Sequence, residues 1–477
     1  MSASFTGSAG IGLASLCAQW FSEVGLQQEE DGRLAAMLAQ DHQRTASLLR
    51  TCFGKVVDPG LISTIGQAEQ AGAAFRQAGV DAVVLVHLVW SEDQPLIALL
   101  ESIAGLPLLL WNRHPTGSLP SYLTTDDLFR FSGTVGALQG SAVLQERGLR
   151  VPIVSGFPED PDLVGQLRQY DIALRLRRRL RGLTAGRIAG TCEIMTGTRV
   201  DERALAQCFG VRLQEISASQ YAQACASVED ERAQAFADEI RRRYPVVGVS
   251  QESLFVACRN TLALDDLIAQ HGLGLVAIQD LDEDLHRLSG VRPCLYPPEA
   301  ASLGVAFGME SDVNATLGLL AAMECTGSPC MYTELFTFDP SDNLLLMGHA
   351  GLHDPRLASD EGVTIVPDYE YRHADALEGA WQEFVLRPGP VTCLSLYDTR
   401  AGYRLTAFEG ESLGGPKRLQ GFAHALVRPD RDVSLLLPEL LSLGLTQHFA
   451  IAPGRVASVL EKWCQLSGIE FVQLEVR

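Results

Sequence analysis

The sequence predicts an α/β chain: two doubly wound parallel-sheet domains followed by an antiparallel, β-rich C-terminal domain. Three observations carry this. Apolar runs such as DAVVLVHLV and LPLLLW alternate with helix-length amphipathic segments, and strands that are apolar throughout belong to parallel sheets covered on both faces. A second alternating stretch repeats the pattern after about residue 160. Beyond residue 330 strand-like segments follow one another with turn residues, and without helices, between them. The expected boundaries are 1–160, 161–325 and 326–477; the first lies at the FPEDPD cluster, which punctuates the chain.

Within the first domain, EQAGAAFRQAGV reads as a helix ending at Gly79, DAVVLVHLV as a buried strand and QPLIALLESIAG as a helix. LPLLLW, VGALQGSAVLQERG and VPIVSG continue the alternation. Residues 1–50 read as mostly helical, with no clear strand ahead of VVDPGLI. In the second domain the strand candidates are GRIAGTCEIM, VRLQEIS, VVGVS and LGLVAIQ. The helices between them are ERALAQCFG, DERAQAFADEIRRR and QESLFVACRNTLALDDLIAQHG. The third contains ELFTF, NLLLMGHA, GVTIVP, EFVLRPGPVTCLSLYD, GYRLTAFEGESL and FAHALVR, closed by the helix GRVASVLEKWCQLSG and the strand EFVQLEV.

Composition narrows the function. A chain of 477 residues with 58 acidic against 38 basic side chains carries a formal charge of -20, which repels phosphate backbones and anionic membranes. Nucleic acid and membrane surfaces are therefore not expected partners. The arginines at 175, 177, 178, 179 and 181, and those at 241–243, read as solvated helix faces or interface contacts. The 11 cysteines lie without a CxxC pair or zinc-ligand spacing, which fits buried free thiols in a reducing cytoplasm. The N-terminus lacks a basic n-region, and no apolar run is long enough to span a bilayer. Glycines show no phosphate-binding pattern.

Candidate chemistry begins at MYTELFTFDPSDNLLLMGHAG, Met331 to Gly351. With the loop centred between Ser341 and Asp342, Phe338 faces Leu345, Phe336 faces Met347 and Glu334 faces His349, about 4.5 to 5.5 Å apart at Cβ. An ion pair is the plain reading of that pair; metal ligation is the other, and needs further ligands to converge. Glu310, in GMESDVNATL, stands where a carboxylate either caps a helix or binds a cation, and Asp312 is a capping candidate. His448, in TQHFAIAPG, is either a core histidine or a ligand. His87 is a pocket candidate at a strand end, whereas His286 and His353 read as surface or supporting residues.

These four segments, in this order and spacing, resemble the metal-site segments of the L-arabinose isomerase and L-fucose isomerase superfamily, closer to the arabinose isomerase side. VDAVVLVHLVWSEDQPLIALL with LPLLLWNRHPTGSLP resembles that family's N-terminal domain, and RPGPVTCLSLYDTRAGYRLTAFEGESL a C-terminal strand pair. The resemblance implies a cytoplasmic, metal-dependent aldose–ketose isomerase that passes a free pentose or deoxyhexose through an ene-diol. It implies Mn²⁺, or another divalent cation, on Glu310, Glu334, His349 and His448, with both glutamates catalytic. It also implies a homo-trimer or homo-hexamer in which a neighbouring subunit completes each site. An L-fucose or D-arabinose isomerase-like activity and a non-catalytic sugar-binding homologue are the alternatives. The chain departs from the family at Asn112, where arabinose isomerases tend to carry histidine and His114 lies two residues on, and at Gln447, where they often carry another. His87, Asn112, His114 and Gln447 are the expected substrate contacts.

Overall fold

A computed structural model describes residues 7–19, 33–370 and 377–475. It divides into two compact units: residues 5–178 with Gln465–Ser467, and Arg179–Cys464 with 468–477. The helical reading of residues 20–32 lies outside the described residues.

The first unit is built on a parallel sheet of β1 (Gly10–Leu16), β2 (Lys55–Val57), β3 (Leu61–Ile62), β4 (Ala82–His87), β5 (Leu108–Arg113) and β6 (Ile153–Gly156). The strands run in the order β2-β1-β4-β5-β6, with β3 also on β1. One face packs Leu49, Phe53, Leu163, Leu167 and Tyr170, and the other Phe75, Leu96, Leu99 and Leu144, so helices cover both sides. Every side chain of β4 is buried, which is why it reads as an unbroken apolar run. The strand β1 corrects the helical reading of this region. Its sequence, GIGLASL, has small residues where β-branched ones would advertise a strand, and Gly12 is needed because a Cβ there would lie 2.6 Å from the Phe75 ring.

The second unit holds two sheets. Strands β7 (Thr184–Ile188), β8 (Arg212–Ile216), β9 (Leu273–Ile278) and β10 (Ala306–Met309) form a parallel sheet in the order β10-β9-β7-β8. The expected strand VVGVS is not part of it: Val246 makes only an isolated bridge to Ile365, and Val247 is exposed. The chain leaves β7 toward β8 and returns to β9 on the other side. This makes a switch point at the carboxyl ends of β7 and β9, where open α/β sheets place their ligands.

The remaining strands are β11 (Met331–Asp339), β12 (Leu344–His349), β13 (Thr364–Val366), β14 (Trp381–Glu383), β15 (Gly389–Thr399), β16 (Gly402–Ser412), β17 (Ala423–Pro429), β18 (His448–Pro453) and β19 (Glu470–Gln473). Six of them close an antiparallel ring, β15-β18-β11-β12-β17-β16, because β16 pairs back to β15. Closure removes the exposed edges an open sheet would present. β19 adds in parallel to β16, and β13 pairs with β14 apart from the ring. One helix does intervene, Val433–Leu443 between β17 and β18, contrary to the expected helix-free run; LLLPELLSL carries its proline inside the helix, which disguised it.

Helix Val313–Thr326 packs against both β10 and β18. It is apolar nearly all round, as a helix buried on every side must be, and Gly318 lets it approach Leu396. It sets β10 and the ring in register with each other, and the candidate site forms where they meet. Close packing here is testable at Gly308, where a methyl would strike the Thr316 side chain and lie 3.2 Å from the Tyr332 ring. Gly308→Ala is expected to cost about 1–3 kcal/mol through overpacking; an unchanged thermal unfolding midpoint would contradict it.

Five arginines of the two runs form ion pairs. Arg175 pairs with Asp171, Arg178 with Asp81, Arg179 with Glu324, Arg241 with Asp238 and Arg243 with Glu239. All 11 cysteines are free, and all but Cys208 are buried. Among the described residues no helix is long and apolar enough to cross a membrane.

Candidate metal centre

Three of the four ligand candidates sit at the end of a strand or in the turn after one, and Glu334 lies within β11. Glu310 follows β10 directly, in a turn with unusual backbone: Glu310 and Ser311 have φ of 56° and 57°. Left-handed conformation in successive non-glycine residues costs of order 1–3 kcal/mol each and gathers at functional sites. Hydrogen bonds hold the turn. Glu310 N–H donates to Asp280 Oδ1 (2.9 Å), Ser311 N–H to the Ile278 carbonyl (3.0 Å), and Ser311 Oγ to the Gly190 carbonyl (2.5 Å). Asp280 and Gly190 follow β9 and β7, so this carboxylate stands at the switch point.

Glu334 lies in β11 and His448 opens β18, and the two are directly opposed in the antiparallel ladder. The hairpin register differs from expectation. Phe338 does face Leu345, but the pairing shifts between Leu335 and Thr337, leaving Phe336 as the extra residue of a β-bulge. Glu334 therefore opposes Gly348, not His349. A bulge moves pairing by one position without any change in the apolar pattern around it. His349, the last residue of β12, still reaches the group.

The outcome is a cluster in which Glu310, Glu334, His349 and His448 each offer a ligand atom, all within 4.8 Å of one another. His448 Nε2 is 3.0 Å from Glu310 Oε2 and 4.0 Å from Glu334 Oε1. His448 Nδ1 donates to Asp312 Oδ2 at 2.8 Å, and His349 Nδ1 donates to the Ala350 carbonyl at 2.6 Å. Each imidazole thus has one nitrogen anchored and Nε2 turned to the cluster, as metal-bound histidines require. His349 Nε2 is buried and makes no hydrogen bond. A bare buried lone pair is costly unless something occupies it, so the donor set fits a divalent cation of the class that accepts mixed carboxylate and imidazole ligands.

Electrostatics follow from burial and from the shared proton. His349 is held down to about 3 by burial and by the neighbouring His448 charge. Burial opposes the charge on His448 too, but the hydrogen bonds to Asp312 and Glu310 outweigh it and raise its pKa to about 10. Burial would raise Glu310, yet its bond to His448 and the two imidazoles keep it below the ordinary value. Burial, then the Glu310 charge, pushes Glu334 up to about 7. A cation at Nε2 competes with the His448 proton, so binding would release it.

Gln447 also reaches the cluster, its Nε2 3.4 Å from Glu310 Oε2 and 3.1 Å from Met195 Sδ. His353 supports it: Nε2 donates to the His349 carbonyl at 3.0 Å. His286 bonds the Asp280 carbonyl. His87, Asn112 and His114 belong to the first unit. His87 is buried, its Nδ1 3.0 Å from Ser91 Oγ, under a helix whose Gly136 and Gly140 leave room for the ring. Asn112 bonds Ser155 and Thr134, and His114 bonds the Thr116 carbonyl beside Phe131. Sequence reasoning saw Asp312 only as a helix cap. It is one, accepting from Ala315 N–H at 2.8 Å, but its second oxygen also orients His448. Glu-x-Asp spacing ahead of a helix was the available signal. Nothing local marked Asp280.

No family model matches the chain. Over 397 residues it is 20% identical to a sulfoquinovose isomerase of Alkalicoccus urumqiensis, covering 83% of this chain and 86% of that protein. The span includes most of both units' sequence, and the likeness supports a sugar isomerase.

Proposed function

We propose that the chain is a divalent-cation-dependent aldose–ketose isomerase, an intramolecular oxidoreductase, acting on a free pentose or deoxyhexose in the manner of L-arabinose isomerase. The observation that carries this is the convergence of two carboxylates and two imidazoles with both Nδ1 atoms anchored. The name of the similar protein supports the isomerase half of the reading.

Aldose–ketose interconversion moves hydrogen between C1 and C2, and by proton transfer it passes through an ene-diol. Glu310, Glu334, His349 and His448 would hold the cation, with Mn²⁺ our choice; when bound, it supplies electrostatic stabilisation of charge developing on the two sugar oxygens. The chain's own residues handle the proton. Glu310 is locked between His448 and Gln447, whereas the Glu334 side chain keeps 24% of its exposure and has no short ion pair. Glu334 is therefore the group placed to exchange a proton with C1 or C2, and Glu310 the one that fixes charge at the site. Gln447 is exposed beside Glu310, which its Nε2 meets at 3.4 Å, and is placed to bind a sugar hydroxyl. Asn112 and His114 stay proposed substrate contacts, completed by assembly into a homo-trimer or homo-hexamer, in the cytoplasm, whereas His87, 2% exposed beneath a helix, is corrected to a core histidine.

A sulfonated aldose is the second substrate reading, and the named relative favours it. Chelator-treated protein reloaded with Mn²⁺, Co²⁺ or Mg²⁺ is expected to form ketose from at least one of L-arabinose, L-fucose, D-arabinose and sulfoquinovose, and none while cation-free. Saturable sugar binding without ketose in loaded protein would instead identify a non-catalytic homologue.

A further inference from the structure

We propose that Asp280 is a positioning residue: its carboxylate fixes the left-handed turn that presents Glu310 to the cation, with Arg292 as its anchor. The inference rests on the metal-site reading above.

The strand β9 ends at Ile278, and Asp280 follows it with 1% of its surface exposed. Oδ1 accepts the Glu310 N–H at 2.9 Å. Oδ2 lies 3.4 Å from Arg292 Nη1. Arg292 is itself immobilised: it makes paired 2.8 Å bonds to Asp368, a 2.9 Å bond to Glu370, and lies over the Trp381 ring at 4.7 Å. Planar, bidentate guanidinium contacts of this type fix geometry more tightly than a single point charge.

The need for such an anchor arises from the turn. A glutamate at φ 56° relaxes readily to ordinary backbone, and that rotation swings its side chain away from His448. The N–H is the group whose direction changes most with that rotation, and Asp280 holds it. Ser311 has two bonds of its own, and Asp280 supplies the backbone restraint on Glu310, whose side chain also meets His448 and Gln447. Outer partners of metal ligands typically alter affinity by about 10–100-fold when removed.

Asp280→Ala removes the acceptor, and Asp280→Asn keeps an acceptor oxygen while deleting the charge. Asp265→Ala is the control: Asp265 is equally buried and accepts backbone N–H groups from Glu299 and Ala300, away from the cluster. Mn²⁺ affinity is titrated on full-length chelator-treated protein, alongside thermal unfolding. The expected result is a 10–100-fold loss in Asp280→Ala, a smaller loss in Asp280→Asn, whose single oxygen keeps the Glu310 bond while its amide gives up the Arg292 contact, and none in Asp265→Ala despite a comparable loss of stability. A residue that only supported the fold would lower the unfolding midpoint without moving Mn²⁺ affinity. Wild-type affinity in Asp280→Ala overturns the proposal. Should Asp280→Ala not fold, Asp280→Glu moves the acceptor by one methylene; at least a tenfold loss is expected, and wild-type affinity overturns the proposal. Absence of saturable Mn²⁺ binding in the wild type is a distinct outcome, which overturns the metal-site reading together with this one.

Discussion

Replacing Glu310 by Gln is expected to remove both the cation and the turnover. Gln has the shape of Glu and can still accept from Gln447, so the fold should survive. What it cannot do is hold the charge that balances a cation and two imidazoles in a buried group. Loss of a carboxylate ligand forfeits the electrostatic stabilisation of the transition state, several kcal/mol, at roughly a tenfold loss of rate per 1.36 kcal/mol. A fall in kcat/KM of about 10³-fold or more follows, with bound Mn²⁺ dropping from near one per chain to a small fraction. Metal analysis of dialysed protein and a ketose assay check the two halves separately. Unchanged metal content together with unchanged turnover would remove Glu310 from the site and take the isomerase reading with it.

The same substitution bears on the fold in the opposite direction. Glu310 and Ser311 keep left-handed backbone at a cost, and in the cation-free protein His448 is a buried imidazolium between Glu310 and Asp312. Neutralising Glu310 leaves that imidazolium with one carboxylate instead of two. Cation-free Glu310→Gln is therefore expected to unfold at a lower temperature than cation-free wild type, although it escapes any penalty from metal loss.

What the sequence disclosed, and what it hid, divides along physical lines. Strands such as β4 and β5 were legible because burial on both faces leaves an apolar run, whereas β1 is as buried but dilutes Ile11, Leu13 and Leu16 with glycine, alanine and serine, which weakens its strand signal. VVGVS has β-branched residues in a strand-like run, yet it makes only an isolated bridge, Val246 to Ile365. The four ligand candidates were legible because glutamate and histidine in apolar segments are expensive unless they do something. Their geometry was not: the bulge at Phe336 moves Glu334 onto Gly348, and its true opposite number, His448, lies on a strand over a hundred residues further along. Residues that act through backbone groups, as Asp280 does, leave no pattern in the side-chain sequence.

Asp312 offers the second large effect, because its two oxygens do separable jobs. One accepts the Ala315 N–H and caps helix Val313–Thr326; the other accepts His448 Nδ1–H, and the side chain is wholly buried. Asp312→Ala loses both. A lost cap costs about 0.5–2 kcal/mol and a buried unpaired donor about 1–3 kcal/mol, so a loss of roughly 2–5 kcal/mol in stability is expected along with weaker metal binding. Asp312→Asn separates them. Its oxygen can cap the helix, which turns its NH₂ toward His448 Nδ1 and makes that nitrogen the acceptor. The imidazole proton then moves to Nε2, the atom needed for ligation, and a protonated nitrogen cannot bind a metal. Asp312→Asn is therefore expected to unfold closer to wild type than Asp312→Ala does, because the cap is retained, while its Mn²⁺ affinity falls by about 10–100-fold. Calorimetric unfolding and Mn²⁺ titration on the same preparations make the comparison. If Asp312→Asn bound Mn²⁺ as tightly as wild type, Asp312 would be a helix cap and nothing more, and the orientation of His448 would have to come from the β18 backbone alone.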